Sequence, residues 1–161
     1  MKYEQLPSTL VRFLSVGFFL ILTLSALAWF VVSIIGLAFQ FRMNDAVVGF
    51  DKGSMYMLGA GLGLLLLTIG GVMQGLIGKE LTPKQEALFA KGLISSLILM
   101  VTFPQLTHYI VANYAQKQNY IVCKNATYRW LLYSKIYYVK NETACIELVN
   151  EKEIEQSSSG R

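Results

Sequence analysis

FLSVGFFLILTLSALAWFVVSIIGLAFQF, residues Phe13 to Phe41, runs for 29 residues without one charged side chain. About 20 apolar residues carry a helix across the hydrocarbon of a bilayer, so this one must tilt or project beyond it. Composition agrees. The chain is 54% hydrophobic and 15% charged, with a mean hydropathy of +0.47, whereas soluble domains carry about 25% charged residues. A secretory signal is the competing reading, because Ala26-Leu27-Ala28 resembles a cleavage site. The apolar run continues well past Ala28, longer than a signal core requires. Residues 13–41 are therefore expected to be an uncleaved first span behind a short cytoplasmic segment, 1–12.

Outward from that run, SMYMLGAGLGLLLLTIGGVMQGLI (54–77) reads as a second span. Eight of the chain's 13 glycines lie between Gly53 and Gly78. Gly59 and Gly63 are four apart, as are Gly71 and Gly75. Such small-xxx-small pairs let helix backbones approach closely in lipid, where packing must replace the hydrophobic effect. These four glycines are the expected helix-packing residues, within the chain or toward a second copy or a larger membrane complex. GAGLG is not a phosphate loop, since no strand precedes it and no charge accompanies it.

A third span is announced by Leu81-Thr82-Pro83-Lys84-Gln85-Glu86. Thr82 is the expected N-cap, Pro83 the first helical residue and Gln85 the returning side chain of a capping box. Residues 78–87 form a cytoplasmic loop and helix start, and 88–112 the span itself. Pro104 lies inside it, so a kink is expected there. Thr102, Gln105, Thr107 and His108 flank that proline. Polar groups in a span are a functional signal by default, but here they are expected to satisfy freed carbonyls or reach the headgroups.

Three spans put the termini on opposite sides. With the N-terminus inside, Lys2, Arg12, Lys79, Lys84 and Lys91 are cytoplasmic. Arg42 and Lys52 are outside, joined near the third span by Lys117, Lys124 and Arg129. The positive-inside rule barely discriminates five from five. The two cysteines, Cys123 and Cys145, do more. Both fall after the last span, and in an oxidising compartment they are expected to form a disulfide. Its loop closure stabilises a small tail by about 3 kcal/mol. This favours an inner-membrane protein with a cytoplasmic N-terminus and a periplasmic C-terminus.

The tail, 113–156, follows an outer loop at 42–53 as the second extracytoplasmic segment. It reads as three strands: Tyr120–Lys124, Tyr128–Tyr138, with a break near Ser134 as the alternative, and Ala144–Val149. The intervening Lys-Asn-Ala-Thr and Lys-Asn-Glu-Thr suit turns. Asn125-Ala-Thr127 and Asn141-Glu-Thr143 also match the N-glycosylation pattern, which is common by chance. Residues 157–161 (SSSGR) look like a cloning remnant and are left out of the fold reasoning. The fold expected is membrane all-α: three transmembrane helices, then a small disulfide-stapled, β-rich extracytoplasmic tail.

Tyrosine, tryptophan and arginine are the usual anchors of protein interfaces. Tyr128, Arg129, Trp130, Tyr133, Lys135 and Tyr137 are therefore the candidate partner-binding residues. As one continuous strand they would divide into two faces, Tyr128 and Trp130 opposite Arg129, Tyr133 and Lys135. No catalytic residue, metal set or cofactor is expected. Two cysteines and one membrane-bound histidine cannot supply a tetrahedral zinc site, and the modest +4 charge does not suggest nucleic acid.

Three stretches, Tyr120-Ile-Val-Cys123, Ser134-Lys-Ile-Tyr-Tyr-Val-Lys140 and Cys145-Ile-Glu-Leu-Val149, carry a resemblance. Together with the hydropathy profile, they resemble small enterobacterial inner-membrane proteins of unknown function, some of which are toxin-immunity proteins. The resemblance covers about 30 residues and brings no binding residue with it. It implies an inner-membrane immunity protein that binds a cognate toxin acting at the membrane, with lipids as its other partners. An accessory subunit of a larger membrane complex is the alternative.

Overall fold

A computed structural model describes residues 9–78, 81–130 and 133–159. Lys2, Lys79, Glu80, Leu131, Leu132, Gly160 and Arg161 lie outside the described residues, as does the side chain of Arg129. The elements in order are α1 (Thr9–Met43), β1 (Val47–Asp51), α2 (Lys52–Gly71), α3 (Pro83–Lys117), β2 (Ile121–Val122), β3 (Tyr128–Trp130), β4 (Tyr133–Val139) and α4 (Glu142–Ser159). Between Val72 and Leu76, α2 continues as a π-helical turn. Among the described residues three helices, Leu10–Met43, Lys52–Leu76 and Pro83–Lys117, are long and apolar enough to cross a membrane, and the chain is a membrane protein.

The helix ends follow from local sequence. At the start of α3 the Thr82 amide donates to Gln85 Oε1 at 3.1 Å, and the Gln85 amide to Thr82 Oγ1 at 3.4 Å. That is the expected capping box. The helix stays continuous through Pro104. Both α1 and α3 close on an asparagine with positive φ, Asn44 at 59° and Asn119 at 60°. The next amides, of Asp45 and Tyr120, return to the carbonyls of Gln40 and Ala115 at 3.1 and 3.0 Å. Asparagine tolerates the left-handed conformation that such a cap demands. Asp51 caps α2, its Oδ1 accepting from the amides of Gly53 and Ser54 at 2.8 and 3.3 Å.

The chain divides into two compact units. The first comprises Met1–Trp29 and Met57–Val101, and its packing is set by glycine. A Cβ placed at Gly59 would stand 2.5 Å from the Met100 backbone. One at Gly61 would stand 2.6 Å from Leu27, and one at Gly63 would stand 3.0 Å from Ser96 Oγ. Across α1 and α2, the hydroxyls of Thr23 and Thr68 meet at 3.4 Å, each also bonded to the carbonyl one turn back in its own helix.

The second unit comprises Phe30–Tyr56 and Thr102–Arg161. A four-stranded antiparallel sheet organises it. β4 is central, with β1 on one side and both β2 and β3 on the other. One face presents Val48, Phe50, Ile136 and Tyr138 to Leu37 of α1 and to Val111 and Ala115 of α3. Val48 and Phe50 are wholly buried. His108 stacks on Phe50, with ring centroids 6.0 Å apart. The other face presents Val47, Tyr137 and Val139 to Ala144, Leu148 and Val149 of α4.

The disulfide between Cys123 and Cys145 joins the end of β2 to the start of α4, Cα to Cα 5.6 Å. Two expectations are corrected here. Residues 144–149 are helical rather than a third tail strand, because Asn141 caps α4 by accepting the Ala144 amide at 2.9 Å. The segment 42–53 supplies β1 to the sheet rather than a bare loop.

Candidate binding surface

The hairpin β3–β4 pairs Trp130 with Tyr133, Arg129 with Ser134 and Tyr128 with Lys135. Directly opposed residues of an antiparallel pair share a face, and alternate residues along a strand return to it. Tyr128, Trp130, Tyr133, Lys135 and Tyr137 therefore occupy one face together. A single continuous strand would have split this set, but the antiparallel register of β3 on β4 brings it to one face. The rings of Tyr128 and Tyr133 approach to 6.1 Å between centroids, as the shared face requires. Arg129 pairs through its backbone with Ser134.

The face is not uniform. Tyr137 is half-buried beneath α4, with Lys152 Nζ 3.6 Å from its ring centroid. Lys152 also donates to the Ala126 carbonyl at 2.7 Å, which fixes it there. Lys135 Nζ lies 5.6 Å from the Tyr137 centroid. Burial acts to lower the Lys135 pKa, but Tyr137, Tyr133 and Asp51 outweigh it, and the value is raised. Tyr133 is half-buried against Gly53, where an added Cβ would meet its ring at 2.3 Å. Its phenol pKa is raised, first by burial and then by the Asp51 carboxylate.

Beyond these, Tyr128 and Trp130 are 54% and 65% exposed. They stand on the same edge of the sheet as Ile121 and Val122, 46% and 47% exposed. Exposed apolar edge strands are normally avoided because they invite pairing with another chain. On the opposite edge, β1 is closed by Gln40, whose Oε1 accepts from the Gly49 amide at 3.0 Å. The β2–β3 edge thus presents the larger aromatic and aliphatic surface.

Ile121, Val122 and Lys152 were not among the sequence candidates. The lysine had a legible signal, since Cys145, Leu148, Val149 and Lys152 follow the i, i+3, i+4, i+7 stripe of a helix. The remaining sequence candidates separate by environment. Gly59 and Gly63 lie in close helix contacts, a Cβ at Gly71 would make an ordinary contact with Val16 at 3.5 Å, and one at Gly75 would meet open space. Among the described residues no group of three or more His, Cys, Asp or Glu side chains could hold a metal.

No curated protein and no solved structure matches the chain. One family model does, over residues 48–146, from β1 through both cysteines and the whole sheet. With well over half its length matched, the chain belongs to DUF1240, a family of proteins of unknown function.

Proposed function

We propose that this is an immunity protein of the bacterial inner membrane, one that binds and neutralises a cognate toxin acting there. Its N-terminus faces the cytoplasm and its sheet-bearing C-terminal region the periplasm. The observation that carries the reading is the exposed β2–β3 edge, with Trp130, Tyr128, Ile121 and Val122 presented on a sheet locked by a disulfide. Rigid aromatics beside an unpaired edge suit recognition of another protein, through side-chain pockets and main-chain pairing alike. The resemblance to immunity proteins points the same way. A toxin that permeabilises the inner membrane must insert or dock there, so its neutraliser belongs in the same membrane.

The test is membrane potential in cells exposed to a membrane-active toxin encoded beside this gene; the absence of any such neighbouring toxin gene would itself count against the reading. Expression should preserve the potential against that toxin and not against unrelated ones. Tyr128→Ala with Trp130→Ala should abolish protection while membrane abundance and the disulfide stay unchanged. Cells that depolarise as fast as controls lacking the protein would end the immunity reading.

A further inference from the structure

We propose that the first unit holds one anionic phospholipid, its phosphate on Arg12 and an acyl chain along the α1–α2 groove beside it. The groove is open-sided, with a volume of about 410 Å³. Among the described residues Arg12 is the only charged one lining it, and Ser15 and Gln74 supply further polar groups. Val11, Val16, Gly71 and Gly75 complete the lining. Arg12 Nη1 donates to the Gly75 carbonyl at 3.3 Å, which anchors the guanidinium at the mouth. This bond engages one of five N–H donors on a planar fork, and that fork matches a phosphate bidentately.

Three observations converge on this groove. Arg12 immediately precedes the 29-residue uncharged run Phe13–Phe41, so it stands where a span meets the headgroups. The π-helical turn Val72–Leu76 falls here, closed by the Ile77 amide on the Val72 carbonyl at 3.0 Å. Single π-turns widen a helix and occur frequently at functional sites. Finally, packing accounts for Gly59 and Gly61, where a Cβ would collide, but not for Gly75, where it would meet nothing within 4 Å. A glycine inside a helix costs about 1 kcal/mol relative to alanine. At Gly75 it leaves an open channel beside a cation. The bare cleft suits an acyl chain and the fork suits its phosphate. The site is independent of the immunity reading.

The full-length protein in neutral detergent, titrated with phosphatidylglycerol or phosphatidylcholine and weighed by native mass spectrometry, tests this. The wild type should bind one phosphatidylglycerol about tenfold more tightly than phosphatidylcholine, because both offer a phosphate to the fork but the choline ammonium brings a second cation beside Arg12. Arg12→Gln should remove that preference. Gly75→Leu should fill the cleft and weaken binding to a similar degree while Arg12 remains; it faces open space, so the thermal midpoint should hold. Arg42→Gln, outside the groove, should bind like the wild type. Equal affinity for the two lipids overturns the proposal, and so does binding that survives both Arg12→Gln and Gly75→Leu. Displacement of the lipid by millimolar inorganic phosphate would make the site one for a free anion. A dimer mass dissolved by these substitutions would assign the groove to a second copy of the chain. Either result overturns the lipid reading.

Discussion

At the scale of single residues, distances separate glycines that sequence spacing treats alike. Gly59 and Gly63 both fit the small-xxx-small pattern, yet the first faces the Met100 backbone and the second only Ser96 Oγ. Backbone cannot rotate away, so Gly59→Ala should lower stability by about 1–3 kcal/mol through overpacking. Gly63→Ala needs only a small rotation of Ser96, and the gain in helix propensity, about 1 kcal/mol, offsets it. Unfolding midpoints in detergent should therefore fall for the first and stay level for the second. Equal midpoints would mean α2 and α3 do not approach as closely as described. Tyrosine burial gives a second prediction at this scale. The phenols of Tyr120 and Tyr138 have raised pKa values, caused first by burial, with Asp45 adding to it at Tyr120. Tyr120 also donates to the Asp45 carbonyl at 2.6 Å, joining the ends of α1 and α3. A raised pKa stabilises the fold fully below the unfolded value of about 10 and loses that contribution as pH climbs through the folded value. The thermal midpoint should be insensitive to these groups near neutrality and decline above about pH 10. Tyr138→Phe should make that alkaline decline shallower, and an unchanged slope would exclude Tyr138 as a cause.

At the scale of elements, what was legible had a short-range signal. The uncharged run 13–41 gave α1, the Thr82–Gln85 box gave the start of α3, and Tyr128–Tyr138 gave strand structure. Residues 144–149 did not, because Ala-Cys-Ile-Glu-Leu-Val has apolar and β-branched residues that satisfy a strand template as well as a helix one. The arbiter lay just upstream, in Asn141 as N-cap with Glu142 in the first turn. In the sequence the same Asn reads equally well as a turn residue or a glycosylation acceptor. β1 was hidden for a different reason. Val47-Val-Gly-Phe50 is a good strand sequence, but its partner β4 is about 90 residues away, and no local pattern reports so distant a pairing. The candidate surface depends on pairing too: read as one strand, Tyr128–Tyr138 divides the aromatic face, whereas the antiparallel register of β3 and β4 brings Tyr133 and Lys135 to the side of Tyr128 and Trp130. The cap supplies the prediction: Asn141→Ala should cost about 1 kcal/mol, visible as a lower unfolding midpoint. Asn141→Asp should restore most of it, since aspartate caps equally well, and failure of that rescue would show that Asn141 acts otherwise.

At the scale of the whole molecule, the proposed orientation rests on chemistry rather than on charge counting. An odd number of spans sends the two termini to opposite sides, but the basic residues close to the spans divide evenly between them. The disulfide is what favours the proposed orientation. Cys123 and Cys145 are joined, and such bonds persist in the periplasm while cytosolic thiols are kept reduced. The bond closes a loop across the second unit, from the end of β2 to the first turn of α4, with a sequence separation of 22. Loop closure of that length is worth about 3 kcal/mol, a large share of the stability of a unit whose sheet has only two strands longer than three residues. Placing this unit in the cytosol would forfeit that contribution and expose two thiols. The expected outcome is a periplasmic C-terminus with both cysteines protected. A maleimide–polyethylene glycol reagent should add no mass to the denatured, non-reduced protein and two labels after reduction. A C-terminal alkaline phosphatase fusion should be active, because that enzyme matures only outside the cytoplasm. Reductant alone should lower the unfolding midpoint of the intact protein. Two labels without reductant, together with an inactive fusion, would turn the molecule over. The β2–β3 edge would then face the cytoplasm, out of reach of any toxin arriving from the periplasm.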